Sequence, residues 1–451
     1  MWRGKLWGLV IVCVVLSGSI IENEVGHTEI IPWRDGKKGA ISLTYDDGTI
    51  NQFRVAMPIM NRLGFPATFY IITGNIPGSK YEGKFIGRPV EEIIKETSMI
   101  PTNETNFFER AAAVGFLGYK GTSRYHTQAG QLYESGRVEE ALELIDQTYK
   151  QVREGAFEPI DKTGNDPSSA NRITWDEIKT FASQGHEFGS HTITHPRLAV
   201  LDHANMVYEL EKSKEDILHR LGPEHTFSAE CPYGTEDERV MEYALKVYPA
   251  LRNRMPEPYL EELNRWNDMD PGVSAKDYVQ WQRGPLTATP MELMKSWIDT
   301  LVVHDNIWLV LVFHGVDGIG WEAKPKEELE EYFQYIKERE DHLWVATFKD
   351  VTRYIRERMN GKVHTRTKKP QSRPEADQPL VGITVNLTHS LDQNLYNLPL
   401  TLKTYVSPSW LTVKVKQGKE LKVIPVERDQ GGAYVMYEAI PNGGPVKISR
   451  G

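Results

Sequence analysis

The chain has 451 residues, 40% of them apolar and 25% charged, with two cysteines and a formal net charge of −9. That is room for about two or three domains of ordinary soluble composition. The acidic balance argues against a nucleic-acid partner, because phosphate binding wants a basic face.

At the N-terminus Arg3 and Lys5 precede an apolar run, Leu6 to Leu16, and then the small residues Ser17-Gly18-Ser19. This is the layout of a secretory signal peptide over residues 1–19. The run falls short of the roughly 20 residues that span a bilayer. An exported protein is expected (periplasmic, cell-surface or extracellular) with no membrane span after cleavage; an uncleaved anchor is the alternative. Cys13 would leave with the signal, so Cys231 would stand alone and no disulfide could form.

From Gly39 to about Asn360, short apolar runs (ISLTY, ATFYII, HEFGSH, WLVLVFH, LWVATF) read as buried strands. Amphipathic stretches lie between many of them: Asn51 to Leu63, Thr174 to Gln184, Asn205 to Leu221, Glu236 to Val247, Met291 to Val303 and Lys326 to Glu338. Alternating strands and helices predict an α/β domain, over residues 30–361, with a parallel sheet and helices outside. Pattern alone does not separate an open sheet from a closed barrel. Residues 76–170 hold helical runs, Phe107 to Gly118 and Arg137 to Arg153, but no strand, and read as an insertion that either shapes a substrate site or only packs. Residues 362–379 are basic and Pro-rich, which is linker composition. Beyond them, over 380–451, VGITVNL, LTLKTYV, LTVKVKQ, KVIPVE and AYVMYEAI predict a small β-sandwich.

Four short motifs carry candidate chemistry. TYDDG ends a strand in Asp46 and Asp47. An Asp-Gly turn needs no function to explain it, and neither does HxxxH alone, in SHTITH, with His191 and His195. The others are CPYG, with Tyr233, and the strand ending at His314. Together they are more telling, because each follows a candidate strand. In a parallel α/β fold those ends converge on one face. One carboxylate and two neutral imidazoles make a common shell for a catalytic divalent metal. Zinc fits these ligands, and cobalt, nickel or manganese could bind too. The second Asp would then be free to act as a base.

In order, these motifs resemble those of polysaccharide deacetylases of the NodB-homology type, carbohydrate esterase family 4. The resemblance covers about residues 35–360 without the insertion. It implies a distorted (β/α) barrel and a metal-dependent hydrolase that removes acetyl groups from an acetylated polysaccharide, N-acetyl rather than O-acetyl. It implies Asp46 as general base, Asp47, His191 and His195 as metal ligands, the Tyr233 backbone N–H as oxyanion donor, and His314 as general acid. Two departures stand out. The family's base-orienting Arg falls at Glu230, where a carboxylate would raise the Asp46 pKa; Arg283 is the candidate replacement, with Trp281 as the family's aromatic. The separation from Asp47 to His191 is long because of the insertion. Trp321 could stack on a sugar ring. Trp308 and Trp344 read as core, and His186 and His304 as helix-end residues. An O-acetyl esterase acting on xylan, or a carbohydrate-binding homologue without turnover, are the alternatives.

Overall fold

The computed structural model describes residues 23–160, 172–234, 237–255, 257–368 and 381–451. The expected signal peptide and most of the expected linker lie outside the described residues. The chain divides into two units. One comprises Pro32–Asn360 with Ser390–Leu398; the other takes the residues before Pro32, Gly361–His389 and Pro399–Gly451.

Strand β1 (Thr28–Ile30) belongs to the second unit. The first is built on β2 (Gly39–Tyr45), β3 (Ala67–Ile71), β4 (Glu187–Ser190), β5 (Ser228–Ala229), β6 (Ala250–Leu251), β7 (Leu260–Leu263), β8 (Tyr278–Arg283), β9 (Ile307–Phe313) and β10 (Leu343–Val345). They form one sheet in the order β6-β5-β4-β3-β2-β9-β8-β7, with β10 beside β2, and every pairing is parallel. No pairing joins β6 to β7 among the described residues, so this is a curled, distorted (β/α) barrel left open on one side. Strands β2 and β9 are buried at all seven positions. Covered on both faces, they read as near-continuous apolar runs, and the buried hydroxyls of Ser42 and Thr44 in β2 are hydrogen-bonded to Trp308 Nε1 and to the Leu311 carbonyl.

Helices α1 (Met57–Leu63), α2 (Val90–Glu96), α3 (Phe107–Ala113), α4 (Ser123–Glu134), α5 (Val138–Arg153), α6 (Trp175–Ser183), α7 (His203–Leu221), α8 (Glu238–Val247), α9 (Met291–Val303), α10 (Lys326–Lys337) and α11 (Phe348–Asn360) complete the unit. Helix α6 starts where Thr174 and Glu177 form a reciprocal capping box. Helices α2 to α5 are the expected insertion. They have their own core, including Phe107, Ala111, Ile145 and Tyr149.

The second unit contains β11 (Lys362–Lys368), β12 (Gly382–Thr388), β13 (Leu400–Tyr405), β14 (Thr412–Gln417), β15 (Glu420–Pro425), β16 (Glu427–Asp429), β17 (Gly432–Ala439) and β18 (Val446–Arg450). Two antiparallel sheets result, β1-β13-β17-β16 and β11-β12-β18-β14-β15. Three boundaries differ from the sequence reading. Residues 362–368 are a strand, because Val363, Thr365 and Thr367 pair with the buried Leu387, Val385 and Ile383. Residues 30–31 belong with the sandwich. Ser390–Leu398 returns to the first unit, where Tyr396 packs edge-on against Phe227 at 5.9 Å and Leu398 N donates to Glu357.

Candidate active site

Because the sheet is parallel, all its strands finish on one edge, and the candidate residues follow those ends. β2 delivers Asp46 and Asp47, β4 His191 and His195, β5 Glu230 and Tyr233, β6 Arg252, β7 Arg265 and Trp266, and β9 His314 and Trp321. Asp46, Asp47, His191, His195, Glu230, Tyr233, His314 and Trp321 line one cavity of about 620 Å³.

The local backbone is unusual. Asp47, Thr192, His195 and Tyr233 all have positive φ, between 61° and 74°. Side-chain residues seldom adopt this region, and it persists where the surroundings over-determine it. For the histidine loop buried Glu209 of α7 does so, accepting the N–H groups of Ile193 and Thr194 at 2.8 and 2.9 Å and the Thr194 hydroxyl at 2.7 Å. Thr73 N and Gly74 N, each at 3.0 Å, hold the carbonyls of Thr192 and Ile193. The histidine loop is thus fixed from two sides.

Nε2 of His195 lies 3.3 Å from Asp47 Oδ1, and Nε2 of His191 lies 3.6 Å from it. One donor atom from each of the three residues falls within 4.8 Å of the others. His191 Nδ1 donates to the Glu230 carbonyl at 2.8 Å, which leaves Nε2 as the lone-pair nitrogen facing Asp47. Burial pulls the imidazoles down, His191 to about 4 and His195, helped by His191, to about 3. Burial and then the Asp46 charge push Asp47 up to about 7. Two neutral imidazoles and a carboxylate short of positive partners make a donor set suited to a divalent cation.

Asp46 is 2% exposed. Arg252 grips it with both terminal nitrogens, each at 2.7 Å, and donates to Thr44 Oγ1 at 2.9 Å. The same guanidinium lies 3.0 Å from Glu230 Oε1, which also accepts from Asn253. Gln280 and Gln282 each donate to the Arg252 carbonyl at 2.9 Å. Burial alone would raise the Asp46 pKa; Arg252, and then His314, more than reverse it and hold the carboxyl well below the usual range. The expected harm from Glu230 therefore does not arise, since its charge is met by Arg252.

Arg283 does not take the base-orienting place. It donates to the carbonyls of Gln282 and Asn267, each at 3.0 Å, and lies over the Trp281 ring. Trp281 is 5% exposed and packs in the core. Both line a neighbouring cavity of about 560 Å³ that shares Arg265 and Trp266 with the candidate site. His314 Nε2 is 3.4 Å from Asp46 Oδ2, and its ring meets Trp321 edge-on at 4.6 Å. Burial pulls His314 down to about 4 against the opposing pull of Asp46, so it rests neutral near pH 7 rather than cationic. Gln52 donates to the carbonyls of both Asp46 and His314, tying the two strand ends together.

The Tyr233 ring stands edge-on to His195 at 4.6 Å, with the Arg197 guanidinium 4.2 Å from its centre. Arg197 pairs with Glu134 of α4 at 2.6 Å, and its backbone N–H donates to His126 of the same helix at 3.0 Å. Gln131, also on α4, lines the cavity. The insertion therefore supplies a wall of the site. Arg252, Arg265, Trp266 and Gln131 escape the sequence reading. The first three follow strands of two to four residues, too short to show periodicity.

A family profile described as polysaccharide deacetylase matches residues 34–99 and 144–248. The chain is 24% identical over 291 residues to a gellan lyase from Bacillus sp.; the match covers 60% of this chain and 11% of that relative's length. Among solved structures it is similar to the Xyl-CE4 domain of a multidomain xylanase from the hindgut metagenome of Trinervitermes trinervoides, at 12% identity and a TM-score of 0.33, covering 70% of this chain and 89% of that one. It is also similar to the peptidoglycan deacetylase PdaC from Bacillus subtilis, at 12% identity and a TM-score of 0.30, covering 72% and 94%. The profile's gap, residues 100–143, falls inside the helical insertion, while its two segments contain Asp46, Asp47, His191, His195 and Tyr233. Those two segments, less than half of the chain, are what it shares with the polysaccharide deacetylase profile.

Proposed function

We propose that the protein is an exported, metal-dependent hydrolase that removes acetyl groups from an acetylated polysaccharide, with the N-acetyl amide as the bond cleaved. The observation that carries this reading is the Asp47, His191 and His195 donor set beside an Arg-clamped Asp46 and a neutral His314.

Asp47, His191 and His195 would hold the ion, with zinc the best match to the donors. A divalent ion in such a site polarises an acyl oxygen and eases deprotonation of water. Asp46 receives the proton of the attacking water, with Arg252 fixing which lone pairs it presents. An amine leaves only once protonated. His314 is neutral at rest, so the proton it delivers must arrive during the reaction, and Asp46 Oδ2 at 3.4 Å is the near source. The Tyr233 N–H, presented by a left-handed backbone, would face the oxyanion, a contribution of about 3 kcal/mol for a well-placed donor. Glu230 would favour a binding protein without turnover only if it disturbed the base, and it is paired to Arg252.

The test is acetate release by the purified chain after EDTA and again after zinc is restored. The substrates are N-acetylglucosamine oligomers, peptidoglycan fragments and acetylated xylan. Zinc-dependent release from an N-acetyl substrate is expected. Release from xylan alone would make it an esterase, and none from any substrate would sink the reading.

A further inference from the structure

In an antiparallel sheet, directly paired residues share a face and neighbours along a strand alternate. The registers of the five-stranded sheet therefore define both its faces. Ile383, Val385, Val413, Val415 and Ile448 are buried on one. The other presents Lys362, Arg366 and Lys368 from β11, Lys414 and Lys416 from β14, and Lys447 from β18, all exposed. No Asp or Glu shares this face. One row runs across four strands as Arg366, Thr384, Lys447 and Lys416.

Such an arrangement opposes folding. Lys447 and Lys416 are direct cross-strand partners, and like charges so placed destabilise a sheet. None of the six cations forms an ion pair among the described residues. The other sheet of the sandwich handles charge differently. Its Lys403 bonds Asp429 at 2.5 Å and lies 3.9 Å from Glu29. The chain as a whole carries a net charge of −9, so the six cations are not a general basic composition but a local concentration.

We propose that this face binds a linear acidic polysaccharide, whose carboxylates or sulfates neutralise Lys362, Arg366, Lys368, Lys414, Lys416 and Lys447. Strand spacing of about 4.8 Å and a side-chain repeat of about 6.7 Å along each strand set the cations on a regular grid. An extended polyanion can lie across that grid without a groove. No Trp, Tyr or Phe stands on the face, so neither sugar stacking nor the aromatic anchoring of a membrane-bound surface is available. Choosing a sugar polymer over other polyanions rests on the proposed reading of the first unit.

The experiment measures binding of the full chain to immobilised polygalacturonate, to uncharged dextran and to phosphatidylglycerol vesicles, at ionic strengths from about 0.02 to about 0.3 M. Binding to polygalacturonate alone, weakening steeply with salt, is expected. Lys414→Gln with Lys416→Gln should weaken it about tenfold or more. Lys246→Gln with Lys326→Gln, elsewhere on the surface, should not. Acetate release from a short neutral substrate should be the same in all these variants, which separates this proposal from the hydrolase reading. No binding at low salt, equal or stronger binding to vesicles, or unchanged affinity in the Lys414 and Lys416 variant would overturn it.

Discussion

Arg252→Met tests the buried ion triad. The substitution keeps an apolar stem but removes a guanidinium that meets Asp46 at 2.7 Å twice and Glu230 at 3.0 Å. Two carboxylates, each 2% exposed, then face each other with no cation between them. Breaking a buried pair by deleting one partner costs about 3–5 kcal/mol, chiefly from the charge left behind. In a domain of this size that lowers Tm by roughly 4–7 °C. Asp46 also loses its orientation, and a misplaced general base costs about a hundredfold or more in kcat. Glu230→Gln is the companion, because Arg252 keeps both bonds to Asp46. It should melt within about 3 °C of the parent and retain kcat within about threefold. Combining Arg252→Met with Glu230→Gln should recover part of the lost stability but not the lost rate. Thermal melts and acetate release well below Tm would measure both. A single Arg252→Met variant with parental Tm and kcat would refute the argument that this cation holds the base.

Arg283→Met should leave kcat within about threefold, since its hydrogen bonds run to the carbonyls of Gln282 and Asn267 and not to Asp46; a hundredfold loss would return Arg283 to the base. Glu209→Ala removes three bonds to the histidine loop and should weaken zinc binding about 10- to 100-fold in a calorimetric titration; unchanged affinity would show that the loop holds itself. His186 and His225 are pulled down by burial from 6.5 to about 4, and each accepts a backbone N–H at Nδ1. Between about pH 6.5 and 4 the unfolded chain binds the extra protons, so stability should fall as pH drops through that window. His186→Gln with His225→Gln should flatten the fall, and an identical pH profile of Tm would contradict this origin.

What was legible in the sequence is what local spacing encodes. His191 and His195 sit four residues apart in one loop, and Asp46 and Asp47 are adjacent, so their convergence needed only the parallel fold. Arg252 was not legible. It follows a two-residue strand, and nothing in ALRN states that its side chain will meet an aspartate 206 positions earlier. Glu230 looked damaging for the same reason, because a carboxylate's effect depends on its partner, not on its position in a motif. Residues 362–368 failed differently. Their basic composition resembles a linker, yet exposed Lys362, His364 and Arg366 alternate with half-buried Val363 and Thr365 as a strand with one covered face requires. The role of the insertion was open because a helix that walls a cavity and one that only packs share the same amphipathic pattern.

The partition of the chain has a consequence for recombination between genes. Passing from one unit to the other at residues 31/32, 360/361, 389/390 and 398/399, the polypeptide interleaves them. A crossover in the expected linker would carry Ser390–Leu398 away with the sandwich. The recipient would lose Tyr396 from the Phe227 cluster and the Leu398 N–H from Glu357, the buried acid of α11. A crossover there would leave the first unit without two of its own contacts, so the linker is a poor place to exchange the sandwich.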